Sequence, residues 1–338
     1  MTTDKHQSRR GRGRLTDTDD RQPHPLLTPL TVAQARRLVR LAETAAAERG
    51  FAMRYDGSAA LVPIEAGDRT GETAQASDDD QAARTTAETT AGMRAGLGNL
   101  ALKVADLPRQ LWRAAVNDHF DQMPRFDDIA TVPDDLENEL YLRVACAANQ
   151  SPEMVRDAPE FVPGVVTVPA TYVGRAVAMH FDVDRLGLTR ERATRIGLAN
   201  LRRLRDEVHT VRLGGAELTM LTGGMFTASR ALVFDSVLRE SLRVEDPAHG
   251  CLVALPARDM LLVHVLRDET ALNALAALAS RAAELFNTSP GMVSPHVYYV
   301  RDNQWHQVTD YSTGTFHLHD VPPLVEALEQ VGVSGLAA

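Results

Sequence analysis

With 338 residues, the chain is long enough to bury a substantial core in one or two domains. A net charge of -9 at pH 7 and an isoelectric point near 5.7 argue against a protein that mainly coats nucleic acid or an anionic membrane. The two cysteines, Cys146 and Cys251, each sit in an apolar run, which excludes a disulfide framework and a cysteine zinc cluster and suits small hydrophobes in a reducing compartment.

Residues 1–29 are charged, proline-bearing and aperiodic, the composition of a disordered tail. Within it Arg9, Arg10, Arg12 and Arg14 alternate with glycines and offer phosphate contacts to RNA or DNA. No aromatics interleave them, and Asp17, Asp19 and Asp20 follow at once and cancel the local field, so nucleic acid is not an expected partner. No apolar h-region opens the chain, and no apolar run approaches the ~18 residues that span a bilayer. A soluble cytoplasmic protein with no membrane partner is expected.

Residues 30–135 read as a helical and hairpin region. Thr31 and Gln34 have the spacing of a capping box, followed by an apolar stripe of Val32, Ala35, Leu38, Val39 and Ala42, with Gly50 placed to end the helix. A hairpin over 51–62 turns at Asp56-Gly57. Residues 65–90 are a flexible acidic insert without a large apolar side chain; its Asp78-Asp79-Asp80 run lacks the fixed oxygen cage that calcium requires. Two helices over 92–105 and 108–120 follow, the second carrying a core Trp112 with His119 on the same face.

Residues 136–310 read as an α+β domain. Strands are expected over 140–147, 164–170 and 174–181. Thr189 then caps a helix with the stripe Ala193, Ile196, Gly197, Leu201 and Leu204. Gly214-Gly215 between two apolar-rich runs supplies the positive φ angles of a two-residue hairpin. A second helix over 226–242 precedes a strand pair at 251–255 and 260–266. A third helix begins at Asp268 and precedes a pair at 296–301 and 304–309, turning at Asp302-Asn303. Residues 311–338 form an extension with a short helix opened by Pro322-Pro323. The expected fold class is α+β, with helices packed on antiparallel strand pairs and repeated helix-hairpin units in the C-terminal half. A four-of-five match between residues 96–100 (GLGNL) and 197–201 (GLANL) raises the idea of an internal duplication.

The element order from Leu140 onward, with the segments GLANL at 197–201, FTASR at 226–230, VALPARDML at 253–261 and VYYVRDNQW at 297–305, resembles the YtpQ-like family of bacterial proteins. The resemblance covers roughly the C-terminal half and implies an α+β domain. That family has no established activity, so it carries no catalytic residue over. The arginine-bearing tail, the acidic insert and the extension past Val308 depart from it.

No G-x-S-x-G elbow, P-loop, G-x-G-x-x-G turn or H-E-x-x-H motif is present. Gly223-Gly224 before the second helix reads as a tight turn rather than an anion seat. The metal candidates are His317 and His319, alternate residues of a strand, with His296 and His306 upstream; two solvated histidines explain the same letters. No catalytic residue and no cofactor is assigned. The expected function is a non-catalytic protein-binding module of the adaptor, chaperone-like or inhibitory kind, with an unknown protein partner. The alternatives are a hydrolase or metal-dependent enzyme built on the histidines, and a nucleic-acid-associated protein using the arginine tail.

Overall fold

The computed structural model describes residues 19–57, 59–64, 95–123, 132–174, 176–311 and 316–333. The arginine cluster at 9–14 and the acidic insert at 65–90 lie outside the described residues.

Helix α1 (Val32–Glu48) begins where the capping box placed it. The Thr31 hydroxyl accepts from Gln34 N–H at 3.4 Å, and the Gln34 amide oxygen accepts from Thr31 N–H at 2.8 Å. Its buried stripe packs on α2 (Gly98–Ala105), α3 (Trp112–Asp121) and a small antiparallel sheet of β1 (Met53–Tyr55), β2 (Ala60–Pro63) and β3 (Ala95–Gly96). Residues 95 and 96 pair with β2, so α2 starts later than the helix expected from 92. Trp112 is buried there, its indole donating to Leu107 C=O at 3.1 Å, and His119 is half-buried beside it.

Residues 19–29 correct the composition-based tail. Leu27 and Leu30 are fully buried in this core, Asp20 pairs with Arg36 at 2.6 Å, and His24 Nδ1 accepts from Leu26 and Leu27 N–H. Apolar side chains packed from irregular backbone leave no periodicity to read.

The second sheet contains β4 (Leu140–Cys146), β5 (Glu160–Val162), β6 (Val165–Val173) and β7 (Ala176–Met179). β4 runs along one edge of β6, and β5 and β7 pair with the other. The outer edge of β4 is closed by helices. From α4 (Arg190–Arg203), Asn200 Nδ2 donates to Leu140 C=O at 2.8 Å, and Gly197 sits so close that a methyl group there would lie 2.7 Å from Leu142 N. Ser229 Oγ then accepts from Val144 N–H at 3.0 Å.

The third sheet assembles the three hairpins of the C-terminal half side by side. It contains β8 (Glu207–Leu213), β9 (Ala216–Thr222), β10 (Cys251–Ala254), β11 (Met260–Val265), β12 (Val297–Arg301) and β13 (Gln304–Gln307), all antiparallel, in the order β13-β12-β10-β11-β9-β8. Gly214 and Gly215 take φ 59° and 84°, and Asp302 and Asn303 take 52° and 59°, as two-residue turns of positive φ require. Helices α5 (Ala271–Thr288) and α6 (Pro322–Gln330) cover one face, so the C-terminal extension belongs to the core. The other face meets the second sheet and the segment 228–242.

That segment departs from the regular helix expected over 226–242. It is a 3-10 stretch (Ala228–Val233), a single α turn (Phe234–Ser236) and a π stretch (Val237–Leu242). It is buried over a wide arc and carries Ser229 and Arg230 inward to polar partners, and these tertiary demands override the helical repeat. A helical segment does precede each hairpin along the chain, but α4 lies on the second sheet while 228–242 and α5 lie on opposite faces of the third. The GLGNL and GLANL segments likewise share no environment: the first joins β3 to α2, and the second is the middle of α4. Among the described residues no helix is long and apolar enough to cross a membrane.

Candidate functional site

The histidines singled out above do not form one group. β14 (Thr309–Asp310) pairs with β15 (His317–Leu318), which brings His319 Nε2 to 3.6 Å from Asp310 Oδ2. His296 stacks on Tyr311 with ring centroids 5.8 Å apart, and burial holds its pKa below the ordinary histidine value. His306 sits apart on β13, stacked on Tyr299 at 6.4 Å. Among the described residues no group of three or more His, Cys, Asp or Glu side chains is arranged to hold a metal ion. The Gly223-Gly224 turn is closed on itself, with Gly224 N–H donating to Thr227 Oγ1 at 3.1 Å.

A cleft of about 410 Å³ opens where three stretches of chain meet: the β2–β3 region, the second sheet, and the loops at Arg258 and 291–293. Arg143 enters it from β4, a strand in which Leu140, Leu142 and Val144 are buried and Arg143 lies between them, half-buried. Arg258 enters from the β10–β11 turn. Its own N–H donates to Gly291 C=O at 2.8 Å and its C=O accepts from Ala228 N–H at 3.1 Å. Gly291, at φ 72°, lies against the Arg258 stem, where a methyl group would come within 2.4 Å of Arg258 Cδ, and its N–H donates to Asn99 Oδ1 at 2.7 Å. The Arg258 backbone is therefore fixed at both its N–H and its C=O, and its stem lies against Gly291 where it lines the cleft.

The two guanidiniums act on each other. Burial first, and then the charge of Arg258, lower the Arg143 pKa to about 10, with Tyr172 and Asp259 opposing. Among the described residues neither arginine has a carboxylate within 4.0 Å or a side-chain hydrogen bond. Four half-buried methionines, Met123, Met154, Met179 and Met292, supply much of the apolar wall. Cys146 also lines the cleft, and burial pushes its thiol up, so it is present as an uncharged thiol. Sequence reasoning missed this site. The available signal was one arginine inside an otherwise uncharged strand, LYLRVAC.

The third sheet presents a different kind of surface at β8. Leu213 and Ala216 flank the two-residue loop and exchange both ladder bonds, so alternation turns the backbone groups of Arg212, Thr210 and Val208 outward. Six of the seven β8 residues are exposed, and Val208 and Leu213 are 46% and 39% exposed. Among the described residues no strand or helix pairs with this edge. At the opposite end, β13 is flanked by β5, with the Phe161 and Trp305 rings 4.9 Å apart. No protein-family model, curated protein or solved structure matches the chain.

Proposed function

We propose that the protein, a relative of the YtpQ-like group, is a non-catalytic cytoplasmic binding module that takes an extended segment of a protein partner onto the free edge of β8. The observation that supports this reading is the contrast between edges: β4 is closed by Gly197, Asn200 and Ser229, whereas β8 offers a row of outward N–H and C=O groups over seven residues. An added strand gains main-chain hydrogen bonds at Val208, Thr210 and Arg212, and the exposed Val208 and Leu213 side chains give it apolar contact on the two faces. Glu207 and Arg212 bias the choice of partner through charge and keep the edge from pairing indiscriminately.

Thr210→Pro tests this reading. Proline removes an N–H that points away from β9, a position an edge strand tolerates, and it blocks the central bond to an added strand. With a photo-cross-linking residue in place of Arg212, the wild-type edge yields a discrete protein adduct in cells. Thr210→Pro loses that adduct and keeps its cooperative thermal transition. An adduct that persists in a folded Thr210→Pro chain rules out strand addition at β8.

A further inference from the structure

We infer that the cleft between Arg143 and Arg258 binds a small amphipathic oxyanion, a phosphate or carboxylate head joined to an unbranched apolar body. The head is assigned by the arginines. Two guanidiniums line the cleft from β4 and the β10–β11 turn, neither with a carboxylate within 4.0 Å among the described residues and with only the more distant Asp259 carboxylate opposing. They hold like charges near each other in a partly dehydrated place, which is unfavourable until an anion sits between them. Planar guanidinium forks match the oxygens of a carboxylate or phosphate in a bidentate manner. The positions are enforced by backbone: Arg143 is locked in a seven-residue strand paired along its length with β6, and Arg258 is pinned by Gly291.

The body of the ligand is assigned by the walls. Met123 follows α3, Met154 lies between β4 and β5, Met179 ends β7 and Met292 lies in the 291–293 loop, so the four reach the cleft from separate segments, and each is half-buried. Methionine is unbranched and adaptable, so such a wall conforms to a flexible chain rather than selecting one rigid shape. A volume of about 410 Å³ falls in the range of small-molecule sites and is far below what a folded partner needs. This site is separate from the β8 edge and does not depend on it.

The test is calorimetric titration of the full chain with decyl phosphate, decanoate, inorganic phosphate and decanol. Decyl phosphate or decanoate binds with one site per chain, and the tighter of the two identifies the head group. Inorganic phosphate and decanol each bind about tenfold more weakly or worse, because each lacks one half of the recognition. Arg143→Met and Arg258→Met each weaken the preferred amphiphile by about tenfold or more, the effect of one lost charge-assisted contact, and leave decanol unchanged.

Unliganded Arg143→Met melts at or above the wild-type temperature, because a half-buried, repelled charge has been removed. A purely structural arginine would show the opposite. Arg258→Lys keeps a charge but not the fork and retains intermediate affinity. Three outcomes each overturn the proposal: no binding of either amphiphile at millimolar concentration, decanol binding as tightly as decyl phosphate, or wild-type affinity in both methionine variants.

Discussion

Arg230→Met lowers the stability of the chain by about 3–5 kcal/mol at pH 7, the cost of stranding one member of a buried ion pair. Arg230 is fully buried, the Asp206 side chain is 2% exposed, and Arg230 Nη1 donates to Asp206 Oδ2. Nη1 also reaches Ser241 Oγ at 3.3 Å, and Glu240 Oε2 stands 3.8 Å from Nη2. The pair ties the start of β8 to the 228–242 segment. Burial pushes the Asp206 carboxyl above the usual carboxylate range, against the pull of Arg230. A carboxyl raised in the folded state adds stability below its unfolded value of about 3.9, and that stability is lost as pH rises through the folded value. Removing Arg230 removes the opposing pull, so the folded value climbs further and the deficit is greater at pH 7 than at pH 5. Urea unfolding at both pH values measures this. Replacing both partners, Arg230→Met with Asp206→Leu, recovers much of the loss, since it leaves no carboxylate stranded at position 206 and Glu240 keeps its pair with Arg205 at 2.9 Å. A deficit below about 1 kcal/mol for the single variant would show that water reaches the pair in solution.

Gly197→Ala costs about 3 kcal/mol, although alanine is the better helix former by about 1 kcal/mol. An added methyl group would lie 2.7 Å from Leu142 N, 2.8 Å from Leu142 Cγ and 2.9 Å from Tyr141 C. Two of these are backbone atoms of β4, and they cannot swing aside as a side-chain end could. α4 must lift off the strand, which stretches the Asn200 bond to Leu140 C=O and opens the contact of Leu201 with Leu142 and Phe226. Chemical denaturation of the variant gives the number directly. A Gly197→Ala chain as stable as wild type would mean that helix and strand are not in such close contact.

Features set by a few neighbouring residues were legible in the sequence. The Thr31–Gln34 box, the Gly214-Gly215 and Asp302-Asn303 turns, the Thr189 cap and the α+β class all follow from local chemistry, and each appears where the residues placed it. What was not legible depends on distant partners. The side-by-side order of the three hairpins is decided by pairings between hairpins, β9 with β11 and β10 with β12, which join strands distant in sequence. Leu27 is buried in the core around α1 rather than by any repeat of its own, so composition assigned it to a tail. The 226–242 stretch has helical periodicity, but burial on several sides and the needs of Ser229 and Arg230 bend it through three hydrogen-bonding patterns. The cleft joins Arg143 to Arg258 across a long separation in sequence, so only folding brings the two side chains together. The histidines were conspicuous as letters, yet His306 lies apart from the others in space.

The unlike treatment of the two sheet edges has a kinetic consequence. The Val144 amide belongs to an outermost strand, yet it is buried and bonded to Ser229 Oγ, so its proton trades with deuterium only when the domain opens. The Thr210 amide also belongs to an outermost strand and faces solvent, so it trades at close to the rate of an unstructured peptide. Strand position alone would rank the two amides as equals. Their isotope clocks instead run at opposite ends of the protein's range, and anything that docks along β8 would slow only the second.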